Sequence, residues 1–391
     1  MSIPFAYSSR SLWVRRKTSI ATMGGIALVV FVLAASLMLV RGVRQALVSS
    51  GSPDNAIVFQ QAASSEVVSS LRQGVFGLVA AAPGIQSSAA GGVLASAESV
   101  QVISARAIGD SRIANVQVRG VSANVLELRP EVRLMSGRAL APGTNEAMIG
   151  SALVGRYEGL TLGSELELDK GHPTRIVGVF SAQGAAFESE VWADLHLVQT
   201  ATNTDEAISS VTVRLTSPAA FDDFASALEA GQRQEGLRVE RERSYYEALS
   251  RGLSAMILAL GGLVTLILSL GAVLGAAITM YASVEQRVTE IAVLRALGFS
   301  QTQVLVAFVT EAACLSLAGT AFGLALASFT GLVHFTVANT AAASAEVTFR
   351  FVPSAVIWLG SALAGALIGV IGGAFPALRA ARLDPVRALR A

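Results

Sequence analysis

The sequence predicts an α-helical membrane protein with four transmembrane helices and an α+β extracytoplasmic domain between helices 1 and 2. Three observations predict it. Apolar runs at 20–40, 253–280, 304–334 and 355–374 are each long enough to cross roughly 30 Å of hydrocarbon at about 1.5 Å per helical residue. About two hundred mostly polar residues separate the first run from the other three. Hydrophobic residues make up 52% of the chain and charged residues 15%, too apolar for an ordinary soluble domain.

The elements follow in order. Residues 1–18 are a cytoplasmic N-terminus and 19–41 the first helix. A cleaved signal peptide is the alternative for this run. Its apolar stretch exceeds the roughly 7–15 residues of such segments, and Arg41 and Arg44 follow without a small-residue cleavage site, so a retained helix is expected. Residues 42–252 form the extracytoplasmic domain, which Ser49, Ser50, Gly51, Ser52 and Pro53 enter as a loop. A strand is expected at 56–60, then a helix at 65–81, where Val67, Val68, Leu71, Val75 and Leu78 recur at helical spacing. Residues 82–96 read as a loop, and 100–105 and 113–120 as strands rich in β-branched residues. A mostly β insertion covers about 131–180, its short strands broken at Gly150, Gly163 and Gly171. A strand at 211–215, an amphipathic helix at 219–230 and a strand at 237–240 close the domain. Strand–helix–strand order on both flanks implies that the flanks meet in one sheet. From Tyr245 a helix without proline runs into the second span at 253–281, tying the domain rigidly to the membrane.

The 282–303 connection carries a short helix, with Val284, Val288, Ile291 and Leu294 on one face and Gly298 as its stop. Helix 3 at 304–334, an extracytoplasmic loop at 335–353, helix 4 at 354–376 and a tail at 377–391 complete the chain. Arg10, Arg15, Arg16 and Lys17 precede the first span, Arg287 and Arg295 lie in the 282–303 connection, and Arg379, Arg382, Arg387 and Arg390 follow the fourth. Short basic segments stay in the cytoplasm, so both termini and that connection are placed there.

Composition excludes several functions. A formal net charge of +1 gives no electrostatic footprint for nucleic acid. One cysteine, Cys314, builds no disulfide or metal framework, and His172, His196 and His334 are scattered. A P-loop needs a Gly-Lys-Ser/Thr sequence, but Lys17 is preceded by Arg16 and Lys170 is followed by Gly171. No catalytic constellation appears, so the chain is expected to be non-catalytic and to bind no cofactor or metal itself. Glu311, about two turns inside the third span, is an intramembrane polar residue. Ionisable groups at such depth are paired or functional, and an anchor near the inner interface is preferred to a proton relay. Arginines after the fourth span suit anionic lipid or a protein partner.

The stretch 285–298, beginning Glu285-Gln286-Arg287 and ending Ala296-Leu297-Gly298, resembles the cytoplasmic loop of FtsX/MacB-type ABC-transporter permeases. The likeness continues through Phe308-Val309-Thr310-Glu311-Ala312, the small residues Gly319 and Gly323, and the tail from Pro376 to Leu389. Ser136-Gly137-Arg138 and Arg175-Ile176-Val177-Gly178-Val179 resemble the MacB-type periplasmic core. Two departures stand out: Thr289 lies where the family often has a basic residue, and 300–303 lacks the usual basic cluster.

The resemblance implies an FtsX-like permease domain over 252–385, in a bacterial inner membrane, without a fused ATPase. It implies ATPase-coupling roles for Glu285, Arg287, Glu290, Ile291, Leu294, Arg295 and Gly298, and contacts of the cytoplasmic tail through Arg379, Arg382, Asp384 and Arg387. The implied assembly is a homodimer, or a heterodimer with a close homologue, above two copies of a separate ABC ATPase that binds ATP and Mg. A periplasmic adaptor and an outer-membrane channel are compatible with it. Export or extraction of a periplasmic or membrane-derived substrate by mechanotransmission is the expected function. The alternative is a receptor whose outer domain binds a ligand and regulates a partner without transport.

Overall fold

A computed structural model describes residues 16–89, 91–109, 113–169, 171–204, 207–231, 236–332, 334–338 and 346–382. Helix α1 (Arg16–Val48) is followed by β1 (Asn55–Gln60), a 3₁₀ turn at Glu66–Val68 and the short helix α2 (Gly74–Ala80). The long strand β2 (Ala95–Arg106) then pairs with β3 (Ile113–Val121). A single turn, α3 (Val125–Leu128), leads to β4 (Arg133–Gly137), β5 (Glu146–Gly150), β6 (Glu165–Glu167), β7 (Pro173–Ser181) and β8 (Glu190–Asp194). Helix α4 (Leu195–Thr202), β9 (Ser210–Arg214), α5 (Phe221–Gly231) and β10 (Leu237–Arg241) follow. Helix α6 (Glu242–Glu285) runs 44 residues without a break. Then come the short helix α7 (Val288–Ala296), α8 (Gln301–Phe329), β11 (His334–Ala338), β12 (Glu346–Arg350) and α9 (Ala355–Ala381). Among the described residues, α1, α6, α8 and α9 are the four helices long and apolar enough to cross a membrane. The chain divides into a helical unit and a sheet unit, the latter comprising Gly42–Leu253 and His334–Phe349.

Three expectations are corrected. The helix expected at 65–81 is interrupted because Leu71 leaves it to bridge Ile208, donating its N–H to that carbonyl at 2.8 Å. The third long helix stops at Phe329 rather than 334: the chain tightens into a 3₁₀ turn at Thr330–Leu332, and β11 pairs with β12 where a plain loop was expected. Strand β8 and helix α4 lie outside the sequence expectation altogether. Asp194 caps α4 by accepting from the N–H groups of His196 and Leu197 at 3.0 and 3.4 Å, and Asn203 ends it in the left-handed conformation.

The strand order is β10-β1-β9-β2-β3-β8-β5-β7-β4, with β6 on β7. The two flanks of the domain therefore meet, β1 lying between β9 and β10. Strand β2 serves both halves of this sheet: Ala95–Glu98 pair with β9, while Ser99–Arg106 pair with β3. Each half has its own core. Val58, Val211 and Val213 pack with Val75, Phe224 and Leu228 of α2 and α5. Val116, Val118, Ile149 and Val191 pack with Leu197 and Val198 of α4. Full burial of each such side chain contributes about 1.5–3 kcal/mol.

Pleating sends alternate side chains to opposite faces. On β3 and β8, Val116, Val118 and Val191 enter the second core, whereas Gln117, Arg119, Glu190 and Trp192 turn to the other face. There, at the seam between the halves, lies a buried charge cluster. Arg119 donates to Glu190 from Nε at 2.7 Å, to Glu98 from Nη1 at 2.7 Å, and to Glu66 from Nη2 at 2.9 Å. Arg129 donates to Glu98 at 2.6 Å and to Glu242 at 2.9 Å. None of the six is more than 5% exposed. Phe187 lies under both guanidiniums, 5.4 and 4.7 Å from its ring centre. Burial disfavours the charge of Glu98, but Arg129 and Arg119 more than offset this and hold its carboxyl below the usual range. Burial, reinforced by the charge of Glu66, pushes the Tyr245 and Tyr246 hydroxyls up.

In the helical unit, small residues set the helix spacing. A Cβ on Gly319 or Gly323 would lie 2.7 or 2.4 Å from the carbonyl oxygens of Met23 and Ala27 on α1. Gly365, Gly369 and Gly373 of α9 sit as closely on Thr320, Ser316 and Ala312 of α8. Repeats of small residues every fourth position let helices approach this closely in lipid. The glycines Gly262, Gly271 and Gly275 of α6 have nothing within 4 Å of such a Cβ, and Leu260, Leu263, Leu270, Leu274 and Ile278 on that helix face outward.

Candidate functional site

The site is the segment joining α6 to α8. Its short helix is pinned from inside: Ile291 is 3% exposed and packs with Met280 and Val284 of α6, Val304 and Phe308 of α8, and Ala377 of α9. Val288 and Leu294 are half-buried beside it. Both junctions are closed by local hydrogen bonds. At the C-terminal end of α7, Gly298 takes φ +96°, its N–H donates to the Arg295 carbonyl, and the Phe299 N–H donates to that of Leu294 at 3.2 Å. This is a Schellman motif, and only glycine adopts that backbone cheaply. Arg295, half-buried, donates from Nη1 to the Phe299 carbonyl at 3.3 Å. Ser300 then caps α8, accepting from the Gln303 N–H while the Gln303 side chain accepts from the Ser300 N–H at 2.8 Å. The pattern Ser-x-x-Gln was the available signal for this cap.

The residues expected to act together separate into two sets. Glu285 and Glu290 are exposed, as is Thr289. Val293 and Leu297, absent from the sequence expectation, are 45% and 72% exposed and give the outer face its apolar part. Ile291 and Arg287 turn the other way. Arg287, at the N-cap of α7, lies 3.4 Å from Glu311, which is 5% exposed on α8. The pair supplies the intramembrane carboxylate with a cation and braces the connection against α8. Arg379 is exposed at the end of α9, its guanidinium 5.7 Å from the Tyr281 ring centre, and Arg382 is exposed at the C-cap. Asp384 and Arg387 lie outside the described residues. Among the described residues, no three His, Cys, Asp or Glu are grouped so as to hold a metal ion.

Four apolar helices, with a mixed sheet domain between the first two and a braced helical connection between the second and third, define a multi-pass membrane protein. Residues 19–230 match the MacB-like periplasmic core domain, and 262–385 the FtsX-like permease C-terminal region. The chain belongs to the FtsX/MacB-type ABC-transporter permeases. It is 30% identical over 225 residues to the macrolide export ATP-binding/permease protein MacB of Shewanella sp. (strain ANA-3), covering 56% of this chain and 33% of that protein. It is 28% identical over 234 residues to the uncharacterized ABC transporter permease YknZ of Bacillus subtilis (strain 168), covering 56% and 55%. The matched region thus spans about a third to a half of these relatives' lengths. The solved periplasmic region of MacB from Actinobacillus actinomycetemcomitans aligns with a TM-score of 0.38 at 14% identity, over 50% of this chain and 92% of that one.

Proposed function

We propose that this chain is the permease subunit of an exporter, coupling ATP binding and hydrolysis on a separate ATPase to movement of its extracytoplasmic domain. The observation that carries this is the build of α7: Ile291 and Arg287 fix it to the bundle, and its far face presents Glu285, Glu290, Val293 and Leu297. A stiff helix with an apolar centre and charged rim suits a groove on another protein, and its bracing to three helices suits force transfer. Arginines beside this connection and after α9 support a cytoplasmic side for both, where ATP and Mg would be held by two ATPase copies. The name of the Shewanella relative supports export as the direction, from the periplasm or the outer leaflet. A dimer of this chain, or a pair with a close homologue, would bring the two connections over the two ATPases.

The test is a pull-down of the tagged, solubilised chain from its native host, scored for a co-purifying ATP-binding subunit. The unaltered chain should retain it, and Glu290→Lys or Leu297→Asp should cut recovery at least tenfold. Equal recovery from both variants would refute the role of this face.

A further inference from the structure

Resting on that coupling function, we propose that Glu242, Arg129, Glu98 and Arg119 form the joint through which helix α6 drives both halves of the sheet domain. Glu242 is the first residue of α6. One of its carboxylate oxygens accepts from the Ser52 N–H at 3.0 Å and from Asn55 Nδ2 at 2.9 Å, so it clasps the segment that joins α1 to β1. Gly51 in that segment lies so close to α6 that a Cβ would be 2.6 Å from the Arg243 Cα. The other oxygen accepts from Arg129 at 2.9 Å. Arg129 passes the contact to Glu98, the residue at which β2 leaves β9 for β3. Glu98 passes it to Arg119, whose guanidinium forks between Glu66, near the first core, and Glu190 of β8, beside the second. Every link is a charge-assisted bond, short and directional, so a shift at Glu242 cannot be absorbed by slippage as it would be in an apolar contact.

Stability alone does not explain the cluster. Buried ion pairs are often replaced by apolar residues of like volume without loss, and here two guanidiniums face four carboxylates, an excess of two negative charges. What the arrangement supplies is one geometry shared by α6, the α1 exit and both halves.

The experiment uses the full chain with its ATPase in nanodiscs, in a Cys314→Ala background. Spin labels at Asp223→Cys and Glu165→Cys report the distance between the halves of the sheet domain. Labels at Leu274→Cys and Phe322→Cys report the membrane helices. Distances are compared without nucleotide and after vanadate trapping. In the background protein both distances should respond. In Glu242→Gln the helix distance should still respond, while the response between the halves falls at least threefold. A full response between the halves in that variant overturns the joint. A background protein in which neither distance responds overturns the coupling function and the joint with it. Hydrogen exchange on the unmodified complex is the second measurement, independent of any variant's folding. Nucleotide should alter exchange at Ser52 and in 96–100 and 188–192 together, and a response confined to one of these segments overturns the joint.

Discussion

Replacing Arg119 by Met should unfold the sheet domain well before the rest of the chain changes. The side chain is fully buried and makes five hydrogen bonds to three carboxylates, at 2.7 to 2.9 Å. Methionine fills much of the same volume, so the loss is electrostatic. Breaking one buried pair costs about 3–5 kcal/mol, because the surviving charge stays out of water. For a domain of this size each kcal/mol lowers Tm by roughly 2–4 °C, which gives a fall of about 6–20 °C. Trp192 reports it directly, since its indole N–H donates to Glu190 at 2.8 Å; Trp13→Phe and Trp358→Phe remove the other two tryptophans. Thermal unfolding followed by fluorescence is the assay. Adding Glu66→Gln and Glu190→Gln to Arg119→Met should restore more than half of the loss, because neutral amides need no guanidinium. A fall of less than about 3 °C for Arg119→Met alone, against the roughly 6 °C minimum, would refute the reasoning.

Other expectations concern pH, packing and the connection. Glu98 has a lowered folded-state pKa, so its contribution is present above the unfolded value of 4.5 and is lost as pH falls through the folded value. The Tm of the unaltered protein should therefore drop more steeply below pH 4.5 than that of Glu98→Gln; parallel curves would count against it. Gly369→Val should destabilise the solubilised helical unit by about 1–3 kcal/mol, because a Cβ there would lie 2.1 Å from that of Ser316. Gly275→Val, with nothing within 4 Å, should be neutral in the same thermal aggregation assay. Gly298→Ala should cost roughly 1–2 kcal/mol through its left-handed backbone and weaken ATPase recovery in the pull-down; unchanged recovery would show that the turn is dispensable.

The long spans were legible because a run of apolar residues has few other homes, and the continuous helix from the domain into α6 because nothing in 245–285 breaks it. Leu71 was misread because its spacing from Val67, Val68 and Val75 is helical, whereas its bridge to Ile208 depends on a residue 137 positions away. The site was legible in part. The face of α7 follows from its period, but whether Ile291 or Val293 points inward depends on where α8 and α9 pack. Arg287 was expected among the coupling residues, and its turn toward Glu311 depends on a residue 24 positions away. The charge cluster left no local trace: Glu66, Glu98, Arg119, Arg129, Glu190 and Glu242 look like ordinary solvated charges until the pleat of β2, β3 and β8 turns Glu98, Arg119 and Glu190 to one face and the fold brings Glu66, Arg129 and Glu242 against them.

The sheet is open: among the described residues β10 ends it on one side, and β4 and β6, both paired to β7, end it on the other. Such rims invite other chains to add themselves. Both rims are guarded. Strand β10 carries Arg238, Glu240 and Arg241, with Arg238 paired to Glu240 and Arg241 lying 4.3 Å from the Phe221 ring centre. Strand β4 is five residues long, slips register between Leu134 and Ser136, and turns away at Gly137 with φ +76°. Charge protects one rim and irregularity the other, which leaves the folded domain a poor template for aggregation even when many copies share one membrane.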